Sequence, residues 1–507
     1  MMAAEKLQQP VKYLSDLLDQ AELGPAVANT PVTGIKLDSR RIQPGDVFVA
    51  LQGEIQHGLE FLDKALVQGA VAVIYDVADS EDYTEQLSRA SNRLVCVPVK
   101  NLSHKLGEIA NRFYDAPSKH MFVVGVTGTD GKTSSTHFIQ QLLGDSNNPC
   151  GVIGTLGYGA EQLMPAEGTT PDVFSLHAMF ADMKTVGIQQ VAMEVSSHGI
   201  AQERIQDVDF DIAVLTNVGR DHLDYHQTLE QYRAVKKSFL ADPAHQVLVL
   251  NLDDELGMEL AEETRSSRKI YAYSLTDREL SGVNLIRAAD IRQTSDGLTV
   301  TIEYYQHRAE LQLPLFGLFN VANVLLGVSV LLAHGINFDD TIGRLRKIHY
   351  VPGRMQRLEA TGEVSVIIDY AHTPQALAHS LGSLRHHFKG KLICVFGCGG
   401  NRDQGKRPLM AANAEQFSDF VIVTSDNPRN EDPELILREI ESGFTNELSH
   451  ITVADRKLAI HQALELAKPG DVVLIAGKGH ENYQIVGDKK LPFDDSQVVR
   501  EFLGSRQ

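Results

Sequence analysis

The stretch FVVGVTGTDGKTSSTHF at 122–138 constrains this chain more than any other. Phe122 to Val126 is an apolar run of the length of a buried parallel strand. Phe138, Ile139, Leu142 and Leu143 then recur at helical spacing. Between them lies Gly128-Thr129-Asp130-Gly131-Lys132-Thr133-Ser134. In a strand–glycine loop–helix unit, backbone N–H groups close around phosphate oxygens and the helix N-terminus adds partial positive charge. Lys132 is placed to reach the outer phosphates, and the Thr133 hydroxyl to sit on Mg²⁺. The spacing is not the usual Walker one, because Val126 stands five positions before Gly131. It fits the shorter Gly-Thr-(Asn/Asp)-Gly-Lys-Thr form.

A chain of 507 residues predicts about three domains, and the sequence divides as 1–118, 119–352 and 353–507. The first part reads as a small α/β unit: a helical stripe at Leu14, Leu17 and Leu18, strands at 32–37, 46–51 and 70–75, and helices over 61–69 and 106–114. From 119 apolar strands at 121–126, 189–195, 212–216 and 246–251 alternate with amphipathic helices, the pattern of a doubly wound parallel sheet. Residues 283–316 break that rhythm and predict a small antiparallel sheet; 317–334 then reads as helix. A second α/β unit has strands at 364–369, 391–396, 419–424 and 471–476. Each is followed by a polar loop, so four loops should converge on one crevice at the strands' carboxyl ends.

Composition excludes some functions. A net charge of −19 argues against a general nucleic-acid or anionic-membrane binder. Cys96, Cys150, Cys394 and Cys398 form no CxxC pair and read as free thiols in a reducing compartment. The N-terminus MMAAEKLQQPVKYL lacks an apolar h-region, and no apolar run reaches the length of a membrane span, so a cytoplasmic protein is expected.

Other residues carry candidate chemistry. Glu194 closes an apolar strand beside the phosphate loop, where an acid either holds Mg²⁺ or caps the next helix. Asp221-His222-Leu223-Asp224-Tyr225-His226 concentrates acids and histidines past the next strand. The residue types leave open whether one of them is a metal ligand or all are structural. Lys236-Lys237 reads as a solvated helix face. Arg402, Lys406 and Arg407 in one glycine-rich loop, and Arg429 in Asp426-Asn427-Pro428-Arg429, suit carboxylate binding, with ordinary surface charge as the alternative.

Taken together, Gly128-Thr-Asp-Gly-Lys-Thr133, Glu194-Val-Ser-Ser-His-Gly199, Asn217 to His226, Gly317-Leu-Phe-Asn320 with Asn323, Gly353-Arg354 and Asp369-Tyr-Ala-His-Thr-Pro374 resemble the motifs of the Mur ligases, over almost the whole chain. The resemblance implies a three-domain α/β architecture with a central P-loop ATPase domain on a parallel sheet and a C-terminal Rossmann-like domain. It implies ATP as co-substrate, Mg²⁺ as cofactor, a monomer and domain closure. Asp426-Asn-Pro-Arg429 is similar to the branch that adds meso-diaminopimelate to UDP-N-acetylmuramoyl-L-alanyl-D-glutamate through an acyl phosphate, in peptidoglycan precursor synthesis. A lysine-adding member and a folylpolyglutamate synthase-like ligase are the alternatives.

Position by position, the resemblance implies that Gly128 to Ser134, Asn320, Asn323, Arg354 and Asp369 bind ATP. Leu37, Ser39, Glu54, Ile55, Gln56, Thr169, Thr170, Ser196, Gln202 and Arg204 would hold the UDP-muramoyl dipeptide. Arg402, Asp426, Asn427, Pro428, Arg429, Gly477 and Glu481 would bind diaminopimelate. Lys132, Glu194, His222 and Lys236 would be catalytic, with Thr133, Glu194, His222 and Lys236 (as a carbamate) serving the metal. Asp130 stands where many members have Asn, Gly168 where some have Asn, and Ser134 replaces Thr.

Overall fold

The computed structural model describes residues 11–19, 23, 27–53, 56–78, 80–358 and 364–504. Two compact units result, Met1–Thr136 with Leu143–Leu248, and His137–Leu142 with Val249–Gln507.

The first unit opens with a parallel sheet of four strands, Gly34–Lys36, Asp46–Ala50, Ala72–Asp76 and Val95–Val99, in chain order. Val47, Val49, Ala72 and Ile74 face one core while Phe48, Ala50 and Val73 face the other. Burial on both faces is why these strands read as apolar runs rather than as an alternation. The run expected as one strand over 32–37 is broken at Thr33. Pro31–Val32 pairs instead with Lys12–Tyr13.

The same unit holds strands Phe122–Thr127, Cys150–Gly154, Gln190–Glu194 and Ile212–Leu215. Phe122–Thr127 lies between Gln190–Glu194 and Ile212–Leu215, parallel to both. Their register sets Glu194 opposite Val126 and Leu215 opposite Thr127. The loops after all three strands therefore open at one edge, beside the phosphate loop. Cys150–Gly154 and its antiparallel partner Gly157–Gly159 gave no strand signal, because four of those eight residues are glycine.

In the second unit the predicted antiparallel sheet exists as Asn284–Thr294, Gly297–Tyr304 and His307–Leu313. It is not a separate sheet, since Asn284–Thr294 also pairs in parallel with Lys269–Ser274. The largely apolar helix Leu318–His334 follows; just before it, Gly317 N donates to His387 Nε2 at 3.0 Å. The last sheet runs, by residue range, 356–358, 365–369, 472–476, 392–396, 420–423, 450–452. Only Gln356–Leu358 is antiparallel. Val472, Leu474 and Ala476 enter one core, and Val473 and Ile475 the other.

Behind the end of strand Val472–Ala476, Arg456 and Asp495 form a fully buried ion pair with two bonds of 2.8 Å, and Arg456 Nη2 donates to Ala476 O at 3.0 Å. The pair ties the helix Asp495–Gly504 to the strand that carries the Gly477 loop. Asp495→Ala strands a buried guanidinium and is expected to destabilise the second unit by about 3–5 kcal/mol, whereas Arg456→Met with Asp495→Leu recovers most of that loss. Urea unfolding of the three proteins checks this; a neutral Asp495→Ala contradicts it.

Candidate functional site

Two polar clusters dominate, one in each unit. In the first, the phosphate loop turns at Gly128, whose φ of +152° and closeness to Thr216 admit no side chain: a Cβ would lie 1.7 Å from Thr216 Oγ1. Neighbouring loops fix it. Thr129 N donates to Asn217 O at 2.8 Å, Asp130 N to Asn217 Oδ1 at 3.0 Å, and Thr216 Oγ1 to Asp130 O at 2.7 Å. The Thr129 hydroxyl shares a 3.0 Å bond with that of Tyr232.

Lys132 is folded onto this loop, donating to Gly128 O at 2.9 Å and Thr129 O at 2.8 Å. Lys236 donates to the same Gly128 O at 2.8 Å. The expectation of a solvated Lys236 is wrong: the residue is 1 % exposed, its ammonium 4.5 Å from the centre of the Tyr232 ring. Its helical stripe shows the core Tyr232, Lys236 and Phe239–Leu240, so periodicity alone put a lysine on the buried face. Burial first, and then the neighbouring Lys132 charge, push its pKa well below the usual lysine value.

Glu194 is 1 % exposed. Its Oε1 accepts from Thr155 N at 2.8 Å; its Oε2 accepts from the Thr133 hydroxyl at 3.0 Å and the Thr155 hydroxyl at 3.3 Å. Hydroxyl and carboxylate oxygens are the hard donors Mg²⁺ takes, so Thr133 and Glu194 fit that ion. His222 is not joined to them. It lies 3.4 Å from Asp221 and 4.8 Å, ring to ring, from His198. Among the described residues no group of three or more His, Cys, Asp or Glu is arranged to hold a metal.

A chain of bonds extends from Glu194 through further expected residues. Thr170 Oγ1 donates to Glu194 O at 2.9 Å and accepts from Ser196 N at 2.9 Å; Ser196 Oγ caps the next helix at Gly199 N. Thr169 and Thr155 share a 3.1 Å hydroxyl bond. Arg204 reaches Thr170 O at 2.8 Å and Gln202 Oε1 at 2.9 Å. Leu37 is half-buried and Ser39 buried, and Arg41 meets Glu167 at 3.3 Å, bringing this turn to the 167–170 segment. Gln56 is exposed and bonds Glu60; Glu54 and Ile55 lie outside the described residues. Gly168 has φ +69° and open space around it. Thr155 and Tyr232, which anchor Glu194 and the loop, gave no sequence signal.

In the second unit the four loops do meet. Arg354 stacks on Tyr370, 4.6 Å from the ring centre, and His480 lies 5.1 Å from the same ring. Asp369 is committed to the fold, accepting from Met355 N at 3.0 Å and the Ser380 hydroxyl at 2.6 Å. Asn320 Nδ2 donates to Phe316 O at 2.8 Å, and Asn323 Nδ2 to Asn320 Oδ1 at 3.2 Å.

Arg429 has a left-handed backbone (φ +52°), is held by its N–H on Ile485 O, and donates from Nη1 to Gly400 O at 2.8 Å. The hairpin Tyr483–Val486 and Lys489–Pro492 supports that turn. Asp426 Oδ1 accepts from Asn427 N at 2.6 Å, and Pro428 O from Glu431 N at 3.1 Å. Gly477 N donates to Asp369 O at 3.2 Å; Glu481 accepts from Asn427 and Lys478, each at 2.9 Å. Arg402 is exposed. The expected basic cluster is smaller than its sequence: Arg407 is fully buried between Glu431 and Glu439, and Lys406 donates to His372 O at 2.9 Å.

The buried Lys236 amino group, facing Lys132, carries a desolvation cost of several kcal/mol when charged, against one carbonyl bond and the face of Tyr232. Lys236→Met is expected to hold or raise the thermal midpoint of the first unit. A fall of several degrees in a melting curve would contradict this.

Three family models match the chain in succession: "Mur ligase family, catalytic domain" at residues 31–114, "Mur ligase middle domain" at 126–331 and "Mur ligase, glutamate ligase domain" at 353–479. The chain is 42% identical over 493 residues to the UDP-N-acetylmuramoyl-L-alanyl-D-glutamate--2,6-diaminopimelate ligase of Coxiella burnetii, covering 97% of this chain and 99% of the relative. It is 43% identical over 512 residues, all of both chains, to the protein of that name from Alkalilimnicola ehrlichii. A solved structure of a ligase of that name matches with a TM-score of 0.68 at 35% identity, covering 96% and 97% of the two chains. A Mycobacterium tuberculosis folylpolyglutamate synthase shares the fold at 18% identity, with a TM-score of 0.61 over 79% of this chain and 95% of its own. No helix of the described residues is long and apolar enough to cross a membrane. This chain belongs to the Mur ligase family.

Proposed function

We propose that the protein is an ATP-dependent ligase that joins meso-2,6-diaminopimelate to UDP-N-acetylmuramoyl-L-alanyl-D-glutamate, a cytoplasmic step of peptidoglycan precursor synthesis. The observation that carries the reading is Arg429. Its guanidinium uses Nη1 on Gly400 and stands beside the Asn427–Lys478–Glu481 cluster, in a chain alike over its full length to ligases of that name. Diaminopimelate ends in a second carboxylate that lysine lacks, and a guanidinium binds a carboxylate through paired N–H groups.

The reaction makes an amide from a carboxylate and an amine. A γ-carboxylate oxygen of the D-glutamate attacks the γ-phosphorus of ATP, the bond to the β-phosphate oxygen breaks, and ADP leaves. The amine of diaminopimelate then attacks the acyl carbon, phosphate departs, and the nitrogen loses a proton to solvent or a base. Two anions must meet in the first step. The loop N–H groups of Gly128 to Ser134 and the Lys132 ammonium, released from the Gly128 and Thr129 carbonyls, offset that repulsion. Thr133 and Glu194 would hold Mg²⁺, which supplies charge neutralisation on the phosphates. Lys236 reads as a carbamylated lysine: its buried amine beside Lys132 favours the neutral form that combines with CO₂, and the resulting carbamate reverses the sign of its charge. Thr169, Thr170, Ser196, Gln202 and Arg204 form the neighbouring network that suits the muramoyl dipeptide.

Phosphate release with ATP, Mg²⁺ and UDP-N-acetylmuramoyl-L-alanyl-D-glutamate is expected with diaminopimelate and nearly absent with L-lysine. Arg429→Ala is expected to raise the KM for diaminopimelate by one to two orders of magnitude, about 1.5–3 kcal/mol for a charge-assisted contact. Preference for lysine, or an unimpaired variant, contradicts the substrate assignment.

A further inference from the structure

Lys478 is the buried cation of the amino-acid crevice that no role yet claims. It has no exposed surface. It sits between Gly477 (φ +109°) and Gly479 (φ +54°) in a loop without space on either side. A Cβ on Gly477 would lie 2.9 Å from Asp426 Oδ2, and one on Gly479 2.8 Å from Gly353 O and from Tyr370 Cβ. The loop thus turns the Lys478 side chain inward. Its Nζ donates to Glu481 Oε2 at 2.9 Å and Asn427 Oδ1 at 3.3 Å.

Asn427 Nδ2 also donates to Glu481 Oε2, at 2.9 Å, while Asn427 Oδ1 accepts from Ile485 N at 2.9 Å. One oxygen of Glu481 is therefore anchored twice. The other, Oε1, has no hydrogen-bond partner among the described residues. Glu481 itself keeps 17% of its side chain exposed, whereas Lys478 keeps none. The lysine thus holds the carboxylate by Oε2 and does not occupy Oε1.

Charge supports the same arrangement. Asp426 and Glu481 interleave with Lys478 and Arg429, a mixture of signs that suits an amino-acid end with one ammonium and one carboxylate. Burying an ammonium costs free energy that its bond to the Glu481 carboxylate must offset, which ties the two side chains together.

We propose that Lys478 is a positioning residue for the amino-acid substrate: it locks Glu481 Oε2 in place, so that Oε1 receives the far-end ammonium of diaminopimelate while Arg429 takes the adjacent carboxylate. This rests on reading the crevice as the diaminopimelate site. Lys478 does not touch the reacting atoms.

The test is steady-state kinetics of the full chain with each of the three substrates varied, for wild type, Lys478→Met, Glu481→Gln and the double variant. Lys478→Met is expected to raise the KM for diaminopimelate about tenfold or more, the loss of a charge-assisted bond. The KM for ATP and for the UDP-dipeptide, and kcat at saturation, stay near wild type. In the Glu481→Gln background the lysine change adds little, because the two residues act as one. If Lys478→Met does not fold, Lys478→Arg and Lys478→Gln are compared: the charged variant keeps the KM closer to wild type than the neutral one. An unchanged or lowered KM for diaminopimelate, additive effects of the two changes, or equal damage to all three KM values overturns the role of Lys478. Absence of wild-type turnover with diaminopimelate overturns the substrate assignment, and this role with it.

Discussion

One carbonyl oxygen, that of Gly128, receives the ammonium groups of both Lys132 and Lys236, at 2.9 and 2.8 Å. Each of the two amino groups has a further contact: Thr129 O for Lys132 and the face of Tyr232 for Lys236. The rest of the first cluster is arranged around that point. Thr216 and Asn217 hold the loop from one neighbouring strand end, and Glu194 receives Thr133 from the other. The arrangement sets two lysines and a carboxylate around the phosphate loop. An anion entering the loop offers the Lys132 ammonium a charge-assisted bond stronger than those to the Gly128 and Thr129 carbonyls.

The second cluster obeys the same rule with different chemistry. Loops at the carboxyl ends of parallel strands are freed from the ladder, so their polar groups can point into the crevice while the strands stay buried on both faces. Positive and negative side chains interleave there rather than accumulate. That suits a zwitterionic amino acid, whereas the phosphate loop suits a polyanion. The fully buried Arg456–Asp495 pair lies behind this crevice and Arg407 beside it. The charges that the fold consumes are thus separate from those left for a ligand, Arg429 and Glu481.

Much of this was legible in the chain. Buried parallel strands read as apolar runs, so the four strands of the last unit lie within a residue or two of their expected ends. The phosphate loop and Glu194 announce themselves because backbone chemistry forces glycines and a strand-end acid into fixed places. Other features were invisible for equally physical reasons. Lys236 looked solvated because lysine usually is, although its spacing from Tyr232 and Leu240 already placed it on the helix face that packs inward. Arg407 looked available, yet Glu431 and Glu439, brought close by tertiary structure, enclose it. Thr155 follows a strand too rich in glycine to be recognised. The hairpin behind Arg429 has only a weak sequence signal, Gly487-Asp488 between two short runs.

The most direct test of the central claim is a crystal structure with a non-hydrolysable ATP analogue, Mg²⁺ and bicarbonate. The account expects Lys132 to leave the Gly128 and Thr129 carbonyls for the phosphates, Thr133 and Glu194 to move onto the metal, and Lys236 to carry a carbamate. Nucleotide bound elsewhere, or bound at the loop with Lys132 still on Gly128 and Lys236 an unmodified ammonium, would contradict it.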